Sequence, residues 1–442
     1  MNRMIKYRIV FMTAVLLNLQ NITAQTAKTF TLKEVYELAI ANSNQLKLAK
    51  NGIKTSQAAT QLVRNALSPS FEATLSASYI GNGLLTDRDF SGAQNIEMPH
   101  WGNNFGIEAS QVIFAGGAIS TSIEKAKLEE QIAQLNYDRN ELDMCFLLTG
   151  YYLELYKLKN QREVFLKNIE QTELLIKQIK AKESEGMALS NDVTRHELML
   201  QNLKLALIEI ENNRKIINQQ MVVTLGLPAE TIIIPDSSVF GLHLDTLAPE
   251  NLNELAAKNL PELKLASLNK TIADKELRVI KSEIYPQIAL VAANHFDGPI
   301  LVEVPTINSN FNYWYAGVGL KYNIASLYKT HRKLDIARQN REVAGYSEAL
   351  ALEHAQVMVH SAYTKFQESN EKLAVFESNL KLAEENYRIV NNRYLSELVL
   401  ITEMLDASNT RLNAELQVAN ARLEVIYNYF RLQREIGNKI TQ

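Results

Sequence analysis

The chain has 442 residues and a net charge of −3, with only 17 glycines and 9 prolines. The length alone would admit several domains, but the scarcity of helix breakers permits long uninterrupted helices. No lysine- and arginine-rich cluster suits a phosphate backbone, which argues against nucleic acid as a partner.

Residues 1–24 read as a signal peptide. Arg3, Lys6 and Arg8 precede an apolar run from Ile9 to Leu19, and Thr23-Ala24 offers a cleavage point. The run is too short to span a bilayer comfortably, so export is the better reading. No cysteine stands at that junction, which argues against an N-terminal lipid anchor. The sole cysteine, Cys145, lies in a helical pattern and is expected as a small buried hydrophobe. Beyond residue 24 nothing resembles a transmembrane helix.

The mature sequence repeats itself at a shift of 217 residues. Glu37-Leu38-Ala39, Asn42 and Leu46-Lys47-Leu48-Ala49 recur as Glu254-Leu255-Ala256, Asn259 and Leu263-Lys264-Leu265-Ala266. Pro69 falls onto Pro286. In each half a helical stretch runs into the proline, which lacks the amide hydrogen and disfavours helical geometry before it. A duplicated unit of this kind implies a pseudo-symmetric architecture.

Alternation begins after each proline. Phe71, Ala73, Leu75, Ala77 and Tyr79 share one face opposite Ser70, Glu72, Thr74, Ser76 and Ser78. Residues 81–100 read as a loop. A second run sets Phe105, Ile107 and Ala109 against Gly106, Glu108 and Ser110. In the second half Ile288, Leu290 and Ala292 alternate with smaller residues, and Trp314, Ala316, Val318 and Leu320 alternate with Tyr315, Gly317, Gly319 and Lys321.

Long helical patterns follow each strand pair. Leu352, Ala355, Val359, Ala362, Phe366, Ser369 and Leu373 open a 3,4 spacing that continues to Tyr394; Leu203, Leu207, Ile210, Arg214, Ile217 and Met221 match it in the first half. Such repeats specify helices that supercoil against neighbours. One helix over 118–184 would be about 100 Å long. Turns are expected near 185–189, with Ser190, Asn191 and Asp192 as capping side chains, and near 395–402, where Glu397 stands opposite Gly186. Residues 226–250 read as a connector with a short strand at Ile232-Ile233-Ile234.

Four strands of about ten residues have the length and alternation of transmembrane β-segments. Four cannot close a barrel, and an open edge in lipid leaves backbone groups unpaired at several kilocalories each. Several chains must then share one barrel. Tyr79, Trp101, Phe105, Trp314 and Tyr322 near the strand ends suit an interfacial belt.

On the helix–Pro–strand duplication, the junction Gln111-Val112-Ile113-Phe114-Ala115-Gly116-Gly117 and the stretch from Tyr394 to Gly437 with Glu403-Met404-Leu405-Asp406-Ala407, the chain resembles the TolC-like outer-membrane efflux proteins. The resemblance implies a mainly α fold with transmembrane β: long antiparallel coiled-coil helices forming an α-barrel, and four strands per chain in a shared twelve-stranded β-barrel of a homotrimer. It implies an outer-membrane location with a large periplasmic portion, and a periplasmic adaptor and an inner-membrane transporter as partners. The division that follows is signal peptide 1–24, periplasmic helix 25–67, transmembrane hairpin 68–116, coiled-coil helices 117–225, connector 226–250, periplasmic helix 251–284, transmembrane hairpin 285–325, coiled-coil helices 326–437 and tail 438–442.

The family works by gating rather than chemistry. By the resemblance, Tyr394 and Asp192 align with a closing contact between neighbouring coiled coils, and Glu403 and Asp406 with acidic residues ringing a constriction. Their i,i+3 spacing puts both carboxylates on one helix face, where three chains could stack two acidic rings that favour cations. The plainer alternative is that they solvate the start of a helix, where carboxylates are favoured anyway. Glu397 replaces a glycine of the usual pattern, and Val399 stands where a gating arginine can occur. No enzyme is expected, and no cofactor or metal: the seven histidines have no metal-ligand spacing, and His196-Glu197 lacks a second histidine four positions on. The competing reading is an exported coiled-coil periplasmic adaptor or structural protein without a pore. It accounts for the heptads but not for matched, proline-bounded strand pairs in both halves.

Overall fold

The computed structural model describes residues 27–241, 249–303, 306–396 and 398–439. The expected signal peptide, Glu397, and the end of the tail lie outside the described residues. β1 (Ala27–Phe30) leads into α1 (Leu32–Asn42), which begins with a capping box: Glu34 N–H donates to the Thr31 hydroxyl, and the Glu34 carboxylate accepts from Thr31 N–H. After Ser43 the chain continues as α2 (Asn44–Arg64), and a short 3-10 turn over 65–67 delivers Pro69 to β2 (Ser70–Tyr79). The stretch expected as loop carries its own small hairpin, β3 (Gly83–Leu85) with β4 (Gln94–Ile96), before β5 (Trp101–Phe114).

Gly116 and Gly117, both at positive φ, turn the chain into α3 (Ala118–Ser184), a single helix of 67 residues. α4 (Ser190–Leu225) follows, stopped by left-handed Gly226. Then come β6 (Ile232–Pro235), α5 (Pro249–Asn259), α6 (Pro261–Ser282), β7 (Gln287–Gly298), β8 (Phe311–Lys321), α7 (Ser326–Leu395) and α8 (Ile401–Glu435). α1 and α5 are both 11 residues long and start 217 residues apart, so the repeat read in the sequence is a repeat of structure.

The chain divides into two compact units. One comprises 1–49, 137–263 and 352–442; the other comprises 50–136 and 264–351. In the first, α1 lays Val35, Tyr36 and Ala39 against Leu148 and Tyr152 of α3, Met221 and Leu225 of α4, and Ile426 and Phe430 of α8. A second apolar cluster joins Leu252 and Ala256 of α5 to Val359, Ala362 and Phe366 of α7 and to Val425, Leu432 and Ile436. The seam expected along α4 is real: Leu203, Ile210 and Met221 are buried. Cys145 is buried as expected, and burial pushes its thiol up to about 12.

β1, unforeseen in the sequence, pairs in parallel with β6. Two polar side chains, buried Tyr152 and half-buried Asn218, fix this two-stranded sheet. The Tyr152 hydroxyl accepts from Asp236 N–H at 2.8 Å and lies 3.0 Å from the Phe30 carbonyl, and the Asn218 side-chain amide bonds both the Thr231 carbonyl and Ile233 N–H at 2.8 Å. Asn218 thus completes the hydrogen bonding that a further strand would otherwise supply.

The second unit holds the four-stranded antiparallel sheet, in the order β2-β5-β7-β8. The same unit holds parts of α2, α3, α6 and α7. Thr60 donates to the Ala126 carbonyl, Lys125 and Lys275 of facing helices reach Glu276 and Glu124, and Lys270 reaches Glu348. Among the described residues, no helix is long and apolar enough to cross a membrane.

Candidate functional site

Register sorts the sheet into two unlike faces. Phe71, Leu75 and Tyr79 of β2 share a face with Trp101, Phe105 and Ile107 of β5, Leu290 and Ala292 of β7, and Trp314, Val318 and Leu320 of β8. These side chains are uncovered: Leu75 is 81% exposed and Trp314 76%. Four side-chain amides share this face, Asn103, Gln111, Asn294 and Asn312, and the last two bond each other at 3.0 Å. The opposite face carries Ser70, Glu72, Thr74 and Ser76, then Asn104, Gly106 and Glu108, then His295 and Asp297, and finally Tyr313 and Tyr315. Apolar-out and polar-in alternation is the pattern of a barrel wall between lipid and an aqueous lumen. β2 and β8 each have one pairing partner in this sheet, so both edges are open.

The helix-tip residues named from the sequence fall into two places. Asp192 stands in the first turn of α4, but neither it nor Ser190 or Asn191 is the capping residue. The N-cap is Leu189, whose side chain cannot accept a hydrogen bond, and Asp192 instead reaches back so that its carboxylate accepts from Leu189 N–H at 3.2 Å. Tyr394 ends α7, half-buried. Lys182, in the last turn of α3, holds its ammonium 5.5 Å from the Tyr394 ring centroid. Burial raises the phenol above its usual range; Lys182 opposes that shift and the Asp192 charge adds to it. Lys182, Asp192 and Tyr394 are therefore one electrostatic cluster, within a single chain. Lys182 could not be foreseen, because a lone lysine near a helix C-terminus is unremarkable there.

The two turns are built alike. Met187 N–H donates to the Lys182 carbonyl and Leu398 N–H to the Arg393 carbonyl, each at 2.8 Å, closing the ends of α3 and α7 in the same way. Glu403 and Asp406 lie in the first two turns of α8. Both are exposed, while the adjacent Met404 and Ala407 are buried, so one face of the helix packs and presents the two carboxylates outward.

Two contacts near this end were not foreseen in the sequence. His196 is fully buried; its Nδ1 donates to the Asp192 carbonyl at 2.8 Å and Nε2 has no hydrogen-bond partner. Arg411 of α8 stacks its guanidinium 3.9 Å from the Tyr387 ring centroid and donates to the Gln171 side chain at 2.9 Å. Nothing in an α-helical heptad marks such a contact in advance, since it joins three helices distant in sequence. Among the described residues no group of histidine, cysteine, aspartate and glutamate has the geometry to hold a metal ion.

A sheet with one lipid-type face, joined to paired helices of coiled-coil length, is a fold shared with solved outer-membrane channels. Residues 252–438 match the family model described as outer membrane efflux protein. The chain is 21% identical over 416 residues to the pyoverdine export outer membrane protein OpmQ of Pseudomonas aeruginosa, covering 92% of this chain and 83% of that one. Its fold matches the outer membrane protein VceC of Vibrio cholerae with a TM-score of 0.76 at 14% identity, over 92% of this chain and 96% of VceC. It also matches the open state of the MtrE outer membrane channel of Neisseria gonorrhoeae with a TM-score of 0.74 at 16% identity, over 92% and 89% of the two chains. The resemblance to TolC-like outer-membrane efflux proteins holds in sequence over residues 252–438 and in fold over most of the chain.

Proposed function

We propose that this chain is the outer-membrane duct of an efflux or type I secretion system. Three copies share one barrel of twelve strands, and their helices enclose a periplasmic passage that receives cargo from an inner-membrane transporter through a periplasmic adaptor. The observation that carries this reading is the sheet β2-β5-β7-β8, apolar on one face, polar on the other and open at both edges. In lipid, the edge groups of β2 and β8 must find partners. Among the described residues no other strand offers edges of that length, so β2 of one copy pairs with β8 of the next and the ring closes.

The passage is gated at the turns of the helices. Asp192, Tyr394 and Lys182 hold the α3/α4 pair against α7, and the exposed Glu403 and Asp406 present the constricting charges. A pore-free periplasmic adaptor would have no use for a lipid-type face on an open-edged sheet. The test is fractionation followed by reconstitution. The duct reading expects the protein in the outer membrane, extractable only by detergent, and conducting ions in planar bilayers. Recovery in the soluble periplasmic fraction without detergent contradicts it.

A further inference from the structure

The polar face of the sheet carries a feature that a plain water-filled wall does not need. Phe311, Tyr313, His295 and Tyr315 form a continuous aromatic stack. Tyr313 lies 5.4 Å from Phe311 (24° between planes) and 5.3 Å from His295 (23°), and His295 lies 6.2 Å from Tyr315 (15°). Their neighbours on this face are serine, threonine, glycine, asparagine and carboxylates, with Ala293 opposite Tyr315 and Val291 beyond it. Gly106, directly across from His295, gives the imidazole room to lie along the sheet. A Cβ there would meet Thr74 Oγ1 at 2.9 Å and His295 Nδ1 at 3.1 Å.

Acidic groups border the stack. Glu108 Oε1 is 3.6 Å from His295 Nε2, and Asp297 lies beside Phe311 in the register while accepting from Asn104. Glu72 sits directly opposite Glu108 on the same face, a like-charged cross-strand pair that by itself weakens a sheet. Cross-strand aromatic pairs do stabilise sheets, and that alone could account for one pair. It does not account for four rings in series, three of them open to solvent (Phe311 54%, Tyr313 39% and Tyr315 47% exposed), beside carboxylates placed against their own repulsion.

We propose that this strip is a cargo-contact site of the barrel lumen that retains planar aromatic cations. It rests on the duct reading, which puts the polar face inside. The ring faces of Phe311, Tyr313 and Tyr315 attract a delocalised cation and stack against its plane. Glu72 and Glu108 supply the opposite charge, and a cation between them removes their mutual repulsion. An aliphatic cation of equal charge gains the second effect but not the first, so the site discriminates by shape as well as charge.

The test uses the full-length protein in planar bilayers, with ethidium as the planar aromatic cation and tetraethylammonium as the aliphatic one. Ethidium is expected to block the open channel at concentrations at least tenfold lower than tetraethylammonium. The double variant Tyr313→Leu/Tyr315→Leu, which keeps apolar bulk without the tyrosine π-faces, is expected to weaken ethidium block at least tenfold and leave tetraethylammonium block unchanged. Equal block by the two cations, or ethidium block unaltered in the double variant, overturns the proposal. Loss of ethidium block in Glu403→Ala/Asp406→Ala with retention in the tyrosine variant also overturns it, by moving the site to the α8 carboxylates. A protein that conducts nothing contradicts the duct reading separately. Saturable ethidium fluorescence enhancement in detergent, lost in the tyrosine variant, then still supports the strip, and its absence overturns the strip.

Discussion

Lys182 rests over the ring of Tyr394, its ammonium 5.5 Å from the centroid, and so ties the end of α3 to the end of α7. Asp192 bears on the same phenol from the start of α4. Three helix ends from the two halves of the repeat thus meet at one small cluster. If this cluster keeps the passage closed, cysteines placed at Asp192 and Tyr394 and bridged by a short bifunctional thiol reagent should lock it. The expected outcome is cross-linked chain on a denaturing gel, together with loss of efflux that reducing a cleavable reagent restores. Efficient bridging with undiminished efflux would remove these residues from the gate.

Glu403 and Asp406 are exposed on the face of α8 away from buried Met404 and Ala407. Three copies would set six carboxylates around the passage, and such a ring draws multivalent cations. Glu403→Ala/Asp406→Ala is expected to raise single-channel conductance and to weaken block by hexaamminecobalt(III) at least tenfold. A helix whose acids merely solvate its first turns would show neither change, only a stability loss of about 0.3–1 kcal/mol per charge.

A buried hydrogen-bond chain fixes α1 to α3. Thr149 Oγ1 donates to the Cys145 carbonyl at 2.8 Å, which leaves the Tyr36 hydroxyl to donate to Thr149 Oγ1 at 2.5 Å. Tyr36 is 2% exposed and Thr149 is fully buried. Tyr36→Phe loses one bond, a cost of about 1 kcal/mol, whereas Thr149→Val strands the tyrosine hydroxyl in an apolar core at about 1–3 kcal/mol. Thermal unfolding followed by ellipticity should rank wild type above Tyr36→Phe above Thr149→Val. The reverse order of the two variants would contradict the donor assignment.

The strand-to-helix junction depends on Gly116. Its φ of +61° disfavours any side chain, and a Cβ would sit 2.8 Å from Tyr285 Cβ and 2.9 Å from the Ser282 carbonyl. Gly117, at φ +86°, has open space around it. Gly116→Ala should therefore cost more than Gly117→Ala, the latter about 1 kcal/mol or slightly more. The yield of folded oligomer after refolding into detergent should separate the two, and equal yields would show that the junction tolerates rearrangement.

The sequence made the large elements readable where one physical signal dominated. Pro69 and Pro286 follow the short turns that close α2 and α6 and keep the chain from resuming a helix, and period-2 alternation then marks β2, β5, β7 and β8 on either side of their loops. The 67 residues of α3 were legible because no glycine or proline among them but Gly150 could break the helix. What escaped was settled by partners rather than by pattern. Ala27–Phe30 is too short to carry a strand signal and becomes one only because Ile232–Pro235 lies beside it. The α4 N-cap fell to Leu189, since Asp192 satisfies the helix start more effectively from inside the first turn. Lys182 and Arg411 owe their contacts to helices far apart in the chain. The polar face of the sheet was visible as alternation, but its aromatic stack emerged only from the register that sets His295 beside Tyr313.

On the duct reading the open edges of β2 and β8 are completed by other copies of the chain, and native mass spectrometry of the detergent-extracted protein decides whether they are. A particle of three chains that falls to single chains only as the strands unfold is expected. A folded single chain, stable in detergent with its four strands intact, would contradict it.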